Sequence, residues 1–269
     1  MVNYKSPLYQ VDAYKTGHGP QYPEGTEFVY SNKTARSDRI ARMNNDVLKD
    51  FDGKVVNFGL LGVIKEFFID CFNEEFFSQD KATACSDYAM IMDHVLGPNM
   101  VGAEHWEELH DLGYLPIQVK ALPEGMRVPI GVPLFTFVNT DKRFHWLTNY
   151  LETVTSSETW QTITSATIAY EYKRLLLSFA EKTGVDPMFV GIQGHDFSFR
   201  GINTRQGAVK SSIGHLSSFI GTDTISAIPY LMQFYNATLD GPVPIGVSVP
   251  ATEHSVMCLG SKEGEIETR

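Results

Sequence analysis

Met188-Phe189-Val190-Gly191-Ile192, Phe219-Ile220 and Ile245-Gly246-Val247-Ser248-Val249 are short apolar runs in the last third of a 269-residue chain, and their spacing decides the fold. Helical periodicity over about 204–217 and 224–235 separates them, and another helix is expected near Ala251. Strands alternating with helices predict right-handed βαβ crossovers and a parallel sheet, so the fold class is α/β. Such sheets bind ligands at the carboxyl ends of their strands. Those ends carry His195-Asp196-Phe197-Ser198-Phe199-Arg200-Gly201, Gly221-Thr222-Asp223-Thr224 and Ser248-Val249-Pro250-Ala251-Thr252-Glu253-His254-Ser255. A stackable aromatic, a guanidinium, a carboxylate, a hydroxyl and an imidazole would thus meet on one face, which makes this the candidate site. Each group also has a plain structural use. Asp223 precedes a helix and could be its N-cap, Asp196 could pair with Arg200, Phe197 or Phe199 could be core, and His254 could be a satisfied structural histidine.

Upstream the texture differs. Residues 26–32 read as a strand after the Pro23-Glu24-Gly25 turn, and apolar residues recur at helical spacing from Phe58 to Phe77. Further helices are expected from Tyr88 to Leu96 and over about 102–111. Ile117, Val119 and Ala121 precede Leu122-Pro123-Glu124-Gly125, and Val128, Ile130 and Val132 follow it, which predicts an antiparallel strand pair across that turn. From Thr140 to Thr183 there is no Gly or Pro; the stretch reads as two helices ending at Gly184, with Pro187 as a stop signal. The expected organisation is a mixed α+β amino-terminal domain at 1–145, connecting helices at 146–187, and the first βα units of a barrel at 188–269. Three such units do not close a barrel.

With 22 Lys+Arg against 32 Asp+Glu the net charge is -10, which disfavours nucleic acid as a partner but leaves local anion sites open. No apolar run approaches the roughly 20 residues of a membrane helix, and Met1 to Gln10 holds no signal-peptide core. No membrane association and a cytoplasmic location are expected. The cysteines, Cys71, Cys85 and Cys258, form no C-x-x-C pair and read as buried free thiols.

Several motifs fail on spacing. Gly17-His18-Gly19 has Tyr22 where a dinucleotide fingerprint needs glycine, and Gly246-Val247-Ser248-Val249-Pro250 lacks the second glycine of a nucleophile elbow. His105 and His110 are five apart, off the i, i+4 spacing of a zinc helix, so they read as a solvated face and no protein metal site is expected. Arg36, Arg39 and Arg42 read as a solvated face, or as a phosphate clamp for a neighbouring subunit.

Asp12-Ala13-Tyr14-Lys15-Thr16-Gly17-His18 with Gln21-Tyr22-Pro23, His195-Asp196-Phe197 with Arg200-Gly201, Gly221-Thr222-Asp223-Thr224, and Ser248-Val249-Pro250-Ala251-Thr252-Glu253-His254-Ser255 resemble the nicotinamide phosphoribosyltransferases. Leu122-Pro123-Glu124-Gly125, Trp146-Leu147-Thr148-Asn149 and Glu152-Thr153 fit in the same order. The resemblance implies part of an irregular parallel α/β barrel of the type II phosphoribosyltransferase kind beside the mixed domain. The implied reaction moves a phosphoribosyl group from phosphoribosyl pyrophosphate to the ring nitrogen of nicotinamide, giving nicotinamide mononucleotide and pyrophosphate, with Mg2+ as cofactor and ATP as a coupling substrate. It also implies a homodimer whose subunits share each active site.

Carried over by position, Phe197 matches the aromatic on one face of the nicotinamide ring, and Tyr14 the aromatic supplied to the other face across the dimer. Asp223 matches the carboxylate that accepts from the carboxamide, favouring nicotinamide over nicotinate. Arg200 matches a phosphate-binding arginine and Arg36 one reaching across the dimer. His254 matches the histidine phosphorylated by ATP, with Glu253 as its orienting partner, while Asp12, Ser248 and His195 fall on further substrate positions. Ile192 stands where a tunnel-lining tyrosine is implied. The match covers the amino-terminal half of the family's length, without its acidic Asp-Ser-Gly segment and glycine-rich phosphate loop. The chain alone is therefore expected to be incomplete for catalysis. Two other readings remain: a non-catalytic or split-enzyme portion needing a second chain, and a nicotinate phosphoribosyltransferase.

Overall fold

The structure is a computed structural model that describes residues 2–39 and 50–258; Arg42 and residues 259–269 of the third expected segment lie outside the described residues. In chain order the elements are α1 (Ala13–Thr16), β1 (Tyr30–Thr34), β2 (Lys54–Val56), α2 (Leu60–Val63), α3 (Lys81–Leu96), α4 (Glu104–Leu112), β3 (Ile117–Ala121), β4 (Arg127–Pro129), β5 (Pro133–Asn139), α5 (His145–Thr183), β6 (His195–Asp196), α6 (Ser198–Gly201), α7 (Arg205–Leu216), β7 (Gly221–Thr222), α8 (Ala227–Tyr235) and α9 (His254–Met257). The helix expected from Phe58 to Phe77 is there, but it continues past α2 in wider π-type turns over Ile64–Cys71 and Asn73–Phe77. No helix among the described residues is long and apolar enough to cross a membrane.

The amino-terminal core is aromatic. Trp106 is fully buried, with its ring edge-on to Phe76 at 5.6 Å, Trp146 at 4.8 Å and Tyr150 at 5.0 Å. Edge-to-face contacts of this kind add about 0.5–1.5 kcal/mol each beyond the area they bury. The core closes against the first turns of α5 through Trp146, Leu147, Tyr150 and Leu151. Two smaller clusters, one around Val190 and Phe219 and one around Ile213 and Leu231, serve the last third of the chain.

The strands pair differently from the sequence reading. β3 does not pair with β4 across Leu122-Pro123-Glu124-Gly125. It pairs antiparallel with β5, which sits between β3 and β1, while β4 pairs with β2. The reason is a second turn at Pro129–Val132, with Gly131 at φ +88°, which splits the expected second strand in two. The strand expected over 26–32 starts only at Tyr30. Residues before it are held by a side chain instead: buried Asn139 accepts from the Val29 amide (2.8 Å) and donates to the Glu27 carbonyl (2.9 Å).

The two helices expected between Thr140 and Thr183 are one helix of 39 residues, roughly 58 Å long, because no Gly or Pro interrupts it; it ends at Gly184 as its sequence predicts. Its second half meets α7 at backbone distance. A Cβ on Gly214 would lie 2.6 Å from the Thr162 carbonyl and 2.9 Å from the Ala166 amide, so only glycine fits there.

The parallel sheet is shorter than expected and slightly displaced. Met188–Ile192 is not a strand but part of a 3-10 helix over Pro187–Ile192, started by Asp186, whose side chain accepts from the Met188 amide, and by Pro187 in the first turn. The strands fall at β6 and β7, paired parallel with His195 opposite Gly221 and Asp196 opposite Thr222. The third expected strand is reduced to a bridge between Gly221 and Val247. The thiols also differ from expectation: Cys85 is buried, Cys71 half-buried and Cys258 exposed.

His105 is not on a solvated face. Its ring lies edge-on to Trp146 at 4.7 Å and near Tyr88 at 5.9 Å, and burial pushes its pKa from 6.5 down to about 4, against an opposing pull from Glu104. The unfolded chain takes up a proton there that the folded chain refuses, so stability falls as pH drops from about 6.5 towards 4. His105→Phe keeps the ring contacts and should flatten that part of the acid slope. Urea midpoints between pH 7 and 4.5 check this; parallel slopes for both proteins would refute it.

Candidate functional site

The parallel pair aims the ends of β6 and β7 at one spot. Gly221 makes the approach tight: a Cβ there would meet His195 Nδ1 at 2.7 Å and the Gly194 carbonyl at 2.8 Å. Past the strand ends His195 Nε2 lies 2.9 Å from Asp223 Oδ1, and the Ser248 hydroxyl donates to the same oxygen at 2.5 Å. The Phe197 ring follows His195 at 4.9 Å between centroids, and the Arg200 guanidinium stands 5.7 Å above the Phe197 ring. His195, Phe197, Arg200, Asp223 and Ser248 therefore form one cluster, drawn from the three segments the sequence singles out.

Asp223 is not an N-cap. Ser226 occupies that position before α8, which leaves the Asp223 carboxylate exposed and committed to the cluster. The Ser248 hydroxyl and the His195 ring hold its carboxyl below the usual carboxylate range, with Arg200 adding a weaker pull. Both contacts fall on Oδ1, so Oδ2 remains for a ligand N–H. Phe197 is 49% exposed, so its ring is open to a ligand beside the cluster. The cluster borders a cavity of about 700 Å³ lined by His195, Phe197, Tyr172, Ile168 and His215.

Asp196 does not pair with Arg200. It is buried and accepts from the hydroxyls of Ser198, Thr222 (3.0 Å) and Thr224 (2.6 Å). These hydroxyl bonds outweigh desolvation and keep its carboxyl below its ordinary value. The sequence does not announce this arrangement, although Thr-Asp-Thr has the period of two that turns both threonines one way and Asp223 the other.

Asp12, Tyr14 and Arg36 stand apart from this cluster. Asp12 and Tyr14 line a hollow of about 440 Å³ with Glu152 and Trp160, where Asp12 accepts from the Thr153 hydroxyl at 3.2 Å. Tyr14 is exposed, and its ring meets His18 edge-on at 5.2 Å. Arg36 lines a neighbouring hollow of about 740 Å³ with Lys33, Glu152 and Trp160. Burial and the Arg36 charge push the Lys33 ammonium below its usual range, so two cations share that wall. Glu152, unassigned in the sequence reading, ties the two hollows together: its carboxylate accepts from buried Lys15 at 2.7 Å and from Ser31 at 2.5 Å.

His254 and Glu253 start the short helix α9, and both are exposed. The Glu253 carboxylate accepts from the Ser255 hydroxyl rather than from the His254 ring. Among the described residues no group of three or more His, Cys, Asp or Glu gathers as a metal site.

Residues 192–269 match the family described as the nicotinate phosphoribosyltransferase (NAPRTase) family. The chain is 56% identical over 263 residues to a protein of Acinetobacter baylyi named nicotinamide phosphoribosyltransferase, covering 98% of this chain and 50% of that one. A protein of Xanthomonas campestris with the same name is 31% identical over 266 residues, covering 97% and 50%. The chain thus spans about half the length of the curated relatives it matches. Human nicotinic acid phosphoribosyltransferase superposes with a TM-score of 0.51 at 19% identity, covering 82% of this chain and 36% of that structure, which shows a shared fold. The resemblance to nicotinamide phosphoribosyltransferases holds over 98% of the chain, and the α/β fold expected with it is shared over 82%.

Proposed function

We propose that this chain takes part in transferring a phosphoribosyl group from phosphoribosyl pyrophosphate to the ring nitrogen of nicotinamide, a step of NAD salvage. The observation that carries the reading is Asp223, held ionised and oriented by Ser248 and His195 beside the exposed ring of Phe197. A pyridine stacked on Phe197 puts its amide within reach of Oδ2, which accepts one N–H. A carboxylate in the same place would face a like charge. This favours nicotinamide over nicotinate. Arg200 supplies positive charge at the phosphate end of the substrate.

In the reaction the bond between ribose C1 and the pyrophosphate oxygen breaks, its electron pair leaves with pyrophosphate, and the nicotinamide nitrogen forms the new bond to C1. Positive charge develops on the ribose, so the work of the protein is alignment and electrostatic support rather than acid-base chemistry. Mg2+ is the expected cofactor. Such an ion is held by one or two carboxylates together with substrate phosphates, and among the described residues no group of three or more His, Cys, Asp or Glu gathers that would hold it without them.

A homodimer belongs to the same proposal. Within one chain Tyr14, Asp12 and Arg36 line hollows separate from the Phe197 cluster, as residues serving a second copy's site would. ATP coupling at His254 belongs to it as well: the exposed ring nitrogen attacks the γ-phosphorus, and ADP departs with the electrons of the broken P–O bond.

Mass analysis of product from nicotinamide, phosphoribosyl pyrophosphate and Mg2+ tests the reaction. This chain alone, and the same chain lengthened to the span of its relatives, should be compared. Nicotinamide mononucleotide is expected from the longer protein; its absence from both would overturn the proposal. Asp223→Asn in the longer protein should cut kcat/KM for nicotinamide about 10- to 100-fold, the worth of one hydrogen bond to a charged group, and raise the relative use of nicotinate. Unchanged kinetics with both substrates would refute the assignment of Asp223. His254→Ala should remove ATP stimulation while sparing most basal transfer. Equal loss of both would mark a structural histidine.

A further inference from the structure

We propose that Asp196, acting through the hydroxyls of Ser198, Thr222 and Thr224, is the positioning residue that sets how the amide end of the substrate is read. The inference rests on the function proposed above and concerns the same site. Asp196 is buried at the end of β6. It borders the cavity beside Phe197, but its carboxylate bonds go to hydroxyls of the protein itself and to no cation, so its use is to hold other groups in place. Thr222 and Thr224 flank Asp223 in sequence, both are buried, and both donate to Asp196 Oδ2, at 3.0 and 2.6 Å. With its two neighbours anchored inward, the side chain of Asp223 is forced outward. A backbone bond reinforces this: the Asp223 amide donates to the Asp196 carbonyl at 2.9 Å. Ser198 donates to the other carboxylate oxygen, which fixes the chain on the far side of Phe197.

The network continues one step further, through Ser212 on α7 at 3.1 Å from the Thr222 hydroxyl, and through the Thr224 amide, which donates to that hydroxyl at 2.9 Å. An ionised carboxylate only accepts hydrogen bonds, so the hydroxyl protons of Ser198, Thr222 and Thr224 must all turn towards it. That one-way requirement makes the junction rigid. The stacking ring and the amide-reading carboxylate then keep a fixed separation whether or not a ligand is present.

Thr224→Val removes one donor without changing shape, Thr224→Ser restores it, and Asp196→Asn swaps an acceptor for a donor. Nicotinamide and nicotinate dissociation constants, measured by ligand-observed NMR on this chain, are the readout, with urea denaturation run on each variant. Thr224→Val and Asp196→Asn should weaken nicotinamide binding about tenfold or more and bring the two affinities together, while Thr224→Ser stays within about twofold of the parent. Folded variants that keep the parent's affinity and selectivity would overturn the inference. So would losses that track stability across all three variants, including Thr224→Ser, since that is the mark of a purely structural role. Failure of the parent to bind nicotinamide both as this chain and when lengthened to the span of its relatives would sink the function reading, and this inference with it.

Discussion

Two residues of parallel pairing, His195-Asp196 against Gly221-Thr222, carry the candidate cluster. A ladder so short has little stability of its own, because short isolated pairings are marginal in water. Its rigidity comes from what surrounds it. Gly221 lets the two backbones close up, the Gly214 contact clamps α7 against α5, and the Asp196 carboxylate gathers three hydroxyls beneath the strand ends. Remove that support and His195, Phe197 and Asp223 would be three loop residues with no fixed relation.

α5 does for the molecule what the short ladder does for the cluster. Its first turns are part of the aromatic core, through Trp146, Leu147 and Tyr150, and its later turns carry Thr162 and Ala166 against α7. Between these, Glu152, Ser156 and Trp160 line the hollows that hold Tyr14 and Arg36, and Thr164 borders both the Arg36 hollow and the Phe197 cavity. One uninterrupted helix thus sets the distances between the two groups of candidate residues. An interior Gly or Pro would weaken that relation, the first through backbone entropy and the second through a kink.

What the sequence made legible follows from the range of the forces involved. α5 is legible as helix though not as a single one, α7 is legible to about a residue at each end, and α8 at its end but not at its start, because periodicity is local. The clustering of Phe197, Asp223 and Ser248 was visible because parallel topology brings strand ends together whatever the detail. The partner of β3 was not, since the choice between β4 and β5 depends on the turn at Pro129–Val132 and on the space beside β1. The displacement of the strand from 188–192 to 195–196 has a local reason: Asp186-Pro187 starts a helical turn as readily as Pro187 stops one. Asp196 and Glu152 were illegible as hubs, because a lone acidic residue says nothing about which distant hydroxyls or ammonium groups will reach it.

The acidic balance of the chain and its proposed use of a phosphate-rich substrate are compatible because charge acts locally. At physiological salt the screening length is about 8 Å, so a phosphate near Arg200, or near Lys33 and Arg36, feels those groups and not the net charge of -10. The same locality separates the two ends of the site. The end that reads a neutral amide requires an acceptor, and Asp223 supplies one that stays ionised through its bonds to Ser248 and His195. The end that holds phosphate requires cations, and the Arg200 guanidinium stands over the Phe197 ring of the same cluster. A carboxylate and a guanidinium clustered with one exposed aromatic ring would thus suit the proposed substrate, whose ends are neutral and anionic, and a net positive surface is not needed.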